Sequence, residues 1–191
     1  MIKIITGAAK GKRLETLEGD ATRPTSQRIK EAMFSSIQFD IEGRRVLDLF
    51  AGSGQLGLEA LSRGSKSVTF IDASRDADAI IKKNAKATGY FDVCRYLVSD
   101  YRNYIRKASG RDAYDLVFID PPYAMMCAAE AVIRLKEAGL LADGALILLE
   151  LGEEKTDFES EEFSCFEVLK NTSYGKMTTL VVLLYHAEER V

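Results

Sequence analysis

Asp120-Pro121-Pro122-Tyr123 closes an apolar run, Tyr114-Asp115-Leu116-Val117-Phe118-Ile119. A strand that ends this way gathers a carboxylate, two prolyl carbonyls without an N–H of their own, and a flat aromatic ring around one small space. Such a space suits an exocyclic NH₂ group on a planar base. The lone pair of that amine is delocalised into the ring, so it is a poor nucleophile. Hydrogen bonds from the NH₂ to the Asp120 carboxylate and the Pro121 carbonyl would favour a pyramidal nitrogen and aim its lone pair. Tyr123 would stack on the base, an interaction worth roughly 1–3 kcal/mol.

A second constellation lies upstream. Asp48-Leu49-Phe50-Ala51-Gly52-Ser53-Gly54-Gln55-Leu56-Gly57 follows another apolar run, and Gly52, Gly54 and Gly57 spell Gly-x-Gly-x-x-Gly between a strand and a helix. Backbone N–H groups at such a helix start face a polar or anionic ligand. Asp72 stands twenty residues after Gly52 at the end of the next strand, where a carboxylate can accept both hydroxyls of a ribose. Asp48 is placed to hold an ammonium, directly or through water, as an amino-acid tail needs and a pyrophosphate does not. Asp100, after Val98-Ser99, can accept from an adenine amine. Phe50 belongs to the same turn. Together they suit an adenosine-bearing cofactor. NAD fits the glycine turn and Asp72 as well as S-adenosylmethionine does, but it leaves Asp120 to Tyr123 idle.

The elements that would position these residues follow from hydrophobic rhythm. Short β-type runs at Arg45–Leu49, Ser67–Ile71, Val93–Val98, Tyr114–Ile119 and Ala145–Leu149 alternate with helical stretches at Leu56–Arg63, Asp76–Ala87, Tyr101–Ala108 and Ala128–Ala138. Gly64, Gly89, Gly110 and Gly139 follow those helices where left-handed caps belong. The pattern predicts a Rossmann-like, doubly wound α/β fold with a mostly parallel seven-stranded sheet. Phe163–Leu169 and Thr178–Tyr185, with no room for a helix between them, predict an antiparallel C-terminal hairpin. Residues 1–42 read as a separate N-terminal extension, with a hairpin around Gly7 and Gly11 and a helix from Thr25 to Ile37 that buries Ile29, Met33 and Ile37. Residues 43–191 read as the main domain.

Composition excludes several classes. The 191 residues are 47% hydrophobic and 29% charged, ordinary for a globular domain. No apolar stretch is long enough to span a membrane, and the first residues lack the pattern of a signal peptide, so a cytoplasmic protein is expected. Cys94, Cys127 and Cys165 are scattered and odd in number. They indicate neither a disulfide framework nor a zinc site, and no metal is expected. His186 reads as a surface or packing residue. The net charge is −3, yet residues 1–45 hold nine Lys or Arg against six Asp or Glu, leaving 17 against 23 in the rest. Lys3, Lys10, Lys12, Arg13, Arg23, Arg28 and Lys30 crowd the first thirty residues and suit a phosphate backbone.

These residues resemble the amino-methylating, S-adenosylmethionine-dependent methyltransferases of class I, and more narrowly the bacterial 16S ribosomal RNA guanine-N2 methyltransferase family of the RsmD type. The resemblance runs through Ile4-Ile5-Thr6-Gly7, Gly11-Lys12-Arg13-Leu14, Thr22-Arg23-Pro24-Thr25-Ser26-Gln27-Arg28, Asp48 to Gly57, Glu59-Ala60-Leu61-Ser62-Arg63-Gly64, Asp120 to Tyr123 and Tyr174-Gly175. Its Arg-Pro-Thr segment separates this family from other Asp-Pro-Pro-Tyr enzymes. The resemblance implies methylation of one guanine of 16S rRNA, conventionally numbered 966, within small ribosomal subunits or their assembly intermediates. Asp120, Pro121, Pro122 and Tyr123 would form the amine site. Asp48, Phe50, Gly52, Gly54, Asp72 and Asp100 would hold S-adenosylmethionine. Lys10, Lys12, Arg13, Arg23, Thr25 and Arg28 would border the RNA. Gln27 departs from an acid common in the family, and Asp72 stands where glutamate is frequent. A monomer is expected. Competing readings are an amino-methyltransferase of another RNA or of DNA, an NAD-dependent oxidoreductase, and a non-catalytic RNA-binding assembly protein.

Overall fold

The structure is a computed structural model that describes residues 2–17, 24–110, 113–175 and 178–187, with the backbone alone at 24–26 and 123. Two compact units divide the chain, residues 1–101 and 102–191. The described part of the N-terminal extension lies within the first of them.

In the first unit, β3 (Arg45–Asp48), β4 (Ser67–Asp72) and β5 (Cys94–Val98) lie in the order β5-β4-β3, with parallel pairing throughout. The helices α2 (Gln55–Ser62) and α3 (Arg75–Thr88) are the crossovers that parallel neighbours require. Ser74 caps α3 by accepting from the N–H groups of Asp76 and Ala77, and Gly89 closes it at φ 88° with its N–H on Ala85. Val46, Leu47, Leu58, Phe70 and Ile71 are buried core.

A short hairpin of β1 (Ile2–Lys3) and β2 (Arg13–Leu14) precedes α1 (Pro24–Ser36). Ile29, Met33 and Ile37 are buried as their spacing predicts, joined by Phe34. Lys30 departs from the cations expected to suit a phosphate backbone: it is buried and paired with Glu59. The hairpin is fastened to α2. Ile5 and Thr6 donate their N–H groups to Glu59 at 2.7 and 3.0 Å, and Ala8 donates to the Ser62 carbonyl at 2.8 Å. At Gly7 (φ 88°) a Cβ would stand 1.7 Å from that same carbonyl oxygen, so no other residue fits.

In the second unit, β6 (Tyr114–Ile119), β7 (Leu141–Leu151), β8 (Phe166–Ser173) and β9 (Thr179–Tyr185) follow the order β6-β7-β9-β8. The β6-β7 pair is parallel, while β7-β9 and β8-β9 are antiparallel, which makes the expected hairpin. The helices here are α4 (Tyr101–Ala108), whose first residue closes the preceding unit, and α5 (Ala128–Glu137). Two strands exceed their apolar runs. β7 begins at Leu141, and β8 starts at Phe166 and continues through Lys170 to Ser173. An exposed strand needs no apolar alternation to keep its ladder, so its polar half reads as a loop. Phe163 belongs instead to a 3₁₀ turn that packs its ring against Phe158 and Phe166.

Cys127 and Cys165 are buried and Cys94 is half-buried, none of them in a disulfide; burial pushes the Cys94 thiol up to about 11. The His186 N–H donates to the Cys165 carbonyl at 2.8 Å. Among the described residues, no helix is long and apolar enough to cross a membrane, and no group of three or more His, Cys, Asp or Glu is arranged to hold a metal ion.

Candidate functional site

Asp48 ends the buried strand β3 and is itself buried. Its Oδ2 accepts the Gly57 N–H at 2.9 Å, tying the strand end to the first turn of α2. Burial pushes this carboxyl up to about 7. The Gly57 N–H pulls against that, the charge of Asp72 adds to the rise, and Lys30 offsets part of it. The glycines of the turn answer different needs. A Cβ at Gly57 would lie 2.4 Å from the Phe70 ring and 2.7 Å from Val68 Cγ1, so this glycine lets α2 lie close against β4. At Gly52 (φ 53°) a Cβ would meet nothing within 4 Å, so the backbone there lies open to a ligand.

Asp72 is the junction of the region. Its Oδ2 accepts the Gly52 N–H at 2.9 Å, its Oδ1 accepts the Ser74 N–H at 2.8 Å, and its carbonyl accepts the Ser99 N–H at 2.9 Å. Gly52, the end of β4 and the segment that leads to Asp100 are thereby held together by one residue. A carboxylate has about four acceptor positions, so two backbone bonds leave capacity for a ribose diol. Asp100 is exposed beside this junction, and the half-buried Phe50 ring tilts onto Tyr101 at 5.1 Å. Gly54 (φ 78°) begins α2. The first unit therefore gathers Asp48, Gly52, Gly54, Asp72 and Asp100 at the ends of its strands, with Phe50 alongside.

In the second unit β6 is buried from Leu116 to Ile119 and delivers a half-buried Asp120, a buried Pro121 and an exposed Pro122. Tyr123 opens a 3₁₀ turn, Tyr123–Met125; its side chain lies outside the described residues. The two prolyl carbonyls are not equivalent. That of Pro122 accepts the Met125 N–H at 2.8 Å and closes the turn, so of the pair expected to grip an amine it is already engaged. Met126 follows with φ 43°, the one positive φ of a non-glycine among the described residues. Glu154 then braces the segment, accepting from the N–H groups of Ala128 and Ala129 at 3.1 and 3.0 Å at the start of α5.

Of the basic residues expected to face RNA, Lys10, Lys12, Arg13 and Arg28 are exposed. Lys12 Nζ also donates to the Ala87 carbonyl in the last turn of α3 at 3.1 Å, where a cation is favoured. Arg23 and the side chain of Thr25 lie outside the described residues. Gln27, at the position that departs from the family, donates to Glu31 across one helical turn at 3.2 Å.

Glu59, Asn84 and Glu154 were not picked out by sequence. Glu59 is fully buried, with Ile5 N–H and Lys30 Nζ (3.1 Å) on Oε2, and Thr6 N–H and Arg63 Nε (2.9 Å) on Oε1. Burial lowers the Lys30 ammonium from its ordinary value despite this partner. Glu59 and Arg63 look like a surface pair one turn apart. The available signal was α2 itself: Leu56-Gly57-Leu58-Glu59-Ala60-Leu61 has no polar face, so its acid had to be buried.

A family model described as "Conserved hypothetical protein 95" matches residues 2–183. The Haemophilus influenzae protein named ribosomal RNA small subunit methyltransferase D is 33% identical over 175 residues, covering 91% of this chain and 89% of that one. The chain belongs to that family. The Escherichia coli protein of the same name is 36% identical over 149 residues, which are 78% of this chain and 74% of its own. A solved structure described as a putative methyltransferase, yhhF, from Escherichia coli superposes with a TM-score of 0.84 at 30% identity, over 98% of this chain and 99% of that one. The family's fold is accordingly the Rossmann-like α/β class expected from the strand and helix rhythm.

Proposed function

We propose that the protein transfers a methyl group from S-adenosylmethionine to the exocyclic N2 amine of a guanine in 16S rRNA of the small ribosomal subunit, the one conventionally numbered 966. Family membership supports an rRNA methyltransferase, and the observation that carries the donor assignment is the Asp72 junction. Its carboxylate is fixed by Gly52 and Ser74 with acceptor capacity remaining, beside a glycine whose Cβ direction is open. Those residues fit an adenosine. Asp48 suits the ammonium of the donor's amino-acid tail, and Asp100 suits the adenine amine. When bound, S-adenosylmethionine supplies a sulfonium methyl that an amine nitrogen can take by in-line displacement.

The chain's own task is to present that nitrogen. Asp120 and the Pro121 carbonyl accept the two N–H bonds of the guanine amine, which keeps its lone pair out of the ring and directed. The proton lost after transfer goes to Asp120 or to water. Tyr123 stacks on the base, which must be accessible or flipped out, so a loop guanine is the cheaper substrate. Lys10, Lys12, Arg13, Arg23 and Arg28 hold the phosphate backbone, with Thr25 beside them. The choice of guanine N2 rests on the resemblance carried by the Arg-Pro-Thr segment.

The test is transfer of labelled methyl from S-adenosylmethionine to unmodified small subunits and to protein-free 16S RNA, followed by nucleoside analysis. Label in N2-methylguanosine is the expected result. Label in another base or in DNA would move the assignment to another amino-methyltransferase. No label on any nucleic acid, with NAD bound and reduced, would replace it.

A further inference from the structure

We infer that Asn84 is a positioning residue that makes the methyl donor and the RNA bind cooperatively, an inference that rests on the function proposed above. Asn84 lies on the inner face of α3 and is buried. Both of its amide N–H groups and its amide oxygen are engaged. Nδ2 donates to the Ser53 carbonyl at 2.9 Å and to the Glu15 carbonyl at 3.0 Å, and Oδ1 accepts the Glu15 N–H at 2.8 Å. Two carbonyls on one side and an N–H on the other also fix which way the amide points.

Ser53 stands between Gly52 and Gly54, both left-handed, in the turn assigned to the donor. Glu15 directly follows β2 (Arg13–Leu14), in the hairpin segment that displays Lys10, Lys12 and Arg13. One buried side chain therefore bonds the donor turn and the basic hairpin at once. A helix face buried beside Ala77, Ile81 and Ala85 would fill equally well with an apolar residue, so packing alone does not ask for an amide here. Loss of the amide strands the Ser53 carbonyl and both backbone groups of Glu15 together. A ligand that orders the turn also orders the hairpin, and the second ligand then binds a site already ordered.

The experiment measures the affinity of an unmodified 16S RNA fragment with and without saturating S-adenosylhomocysteine, in the wild type, Asn84→Ala and Glu15→Ala. Wild type should bind RNA about fivefold or more tightly with the nucleoside present, the low end of usual coupling. Asn84→Ala should bring that ratio close to one. Glu15→Ala removes only the exposed ion pair to Lys83 and keeps the backbone bonds, so its ratio should stay at the wild-type value. If Asn84→Ala does not fold, Asn84→Ser, which keeps one donor, is read in its place and should show a reduced ratio. A wild-type ratio of one, or an undiminished ratio in the Asn84 variant, overturns the inference while leaving the proposed function standing. Failure of the wild type to bind either ligand or to transfer label would instead remove the proposed function.

Discussion

The glycine turn of the first unit, proposed to hold the methyl donor, and the Asp-Pro-Pro-Tyr segment of the second are built to opposite specifications. Around Asp72, side-chain and main-chain groups are committed to one another before any ligand arrives: Gly52, Ser74 and Ser99 all donate to it. After Asp120 the chain turns outward, with Pro122, Ala124, Met125 and Met126 exposed and the Met125 N–H on the Pro122 carbonyl closing the turn. A small ligand of constant shape suits a cradle whose groups are already bonded to one another. A base within a folded RNA must be reached and turned, which favours an open rim.

The largest expected effect lies at Glu59, the acid that fastens the hairpin and α1 to α2. Glu59→Ala leaves the buried Lys30 ammonium without its partner and should destabilise the protein by about 3–5 kcal/mol in denaturant titration. An unchanged midpoint would show that the first unit is not held together there.

The next effect is that of pH. Asp48 titrates at about 7 in the fold against an ordinary 3.8, so between those values the folded state holds a proton that the unfolded chain has lost. Stability therefore falls as pH rises through that window, by a few kcal/mol at most. Asp48→Asn can still accept the Gly57 N–H, so it should flatten this slope while weakening donor binding. Thermal midpoints between pH 4 and 8 check the first effect, and donor titration checks the second.

Asp72→Ala should weaken donor binding roughly 10- to 100-fold by removing a charged acceptor, whereas Asp72→Glu should recover most of it. Calorimetric titration with S-adenosylhomocysteine decides. In the open region the expected effect is smallest. Met126→Gly relieves a positive φ and uncovers nothing buried, so stability should change by no more than about 0.5 kcal/mol.

Much of this was legible from sequence where local pattern and burial agree. The bounds of α4 and β6 match their apolar periods residue for residue, and the four glycines expected to cap helices all have positive φ. Asp48, Gly52, Asp72 and Asp100 fell at strand ends because parallel strands separated by crossover helices place their carboxyl ends on one edge. Relations that depend on distant neighbours were hidden. Nothing local to Lys30 says that Glu59 will meet it, nothing in the charged loop says that Glu154 will cap α5, and nothing in Pro121-Pro122 says which carbonyl the next turn will use. The polar half of β8 was lost for the reverse reason, since an exposed strand carries no burial signal.

The division of labour is tested most directly by the single-turnover rate of methyl transfer to RNA at saturating donor in Asp120→Ala, with donor affinity measured alongside. Transfer should fall by a factor on the order of 10² or more while donor affinity stays at the wild-type value. Transfer at the wild-type rate, or a loss explained wholly by weaker donor binding, would contradict the assignment of the amine to Asp120.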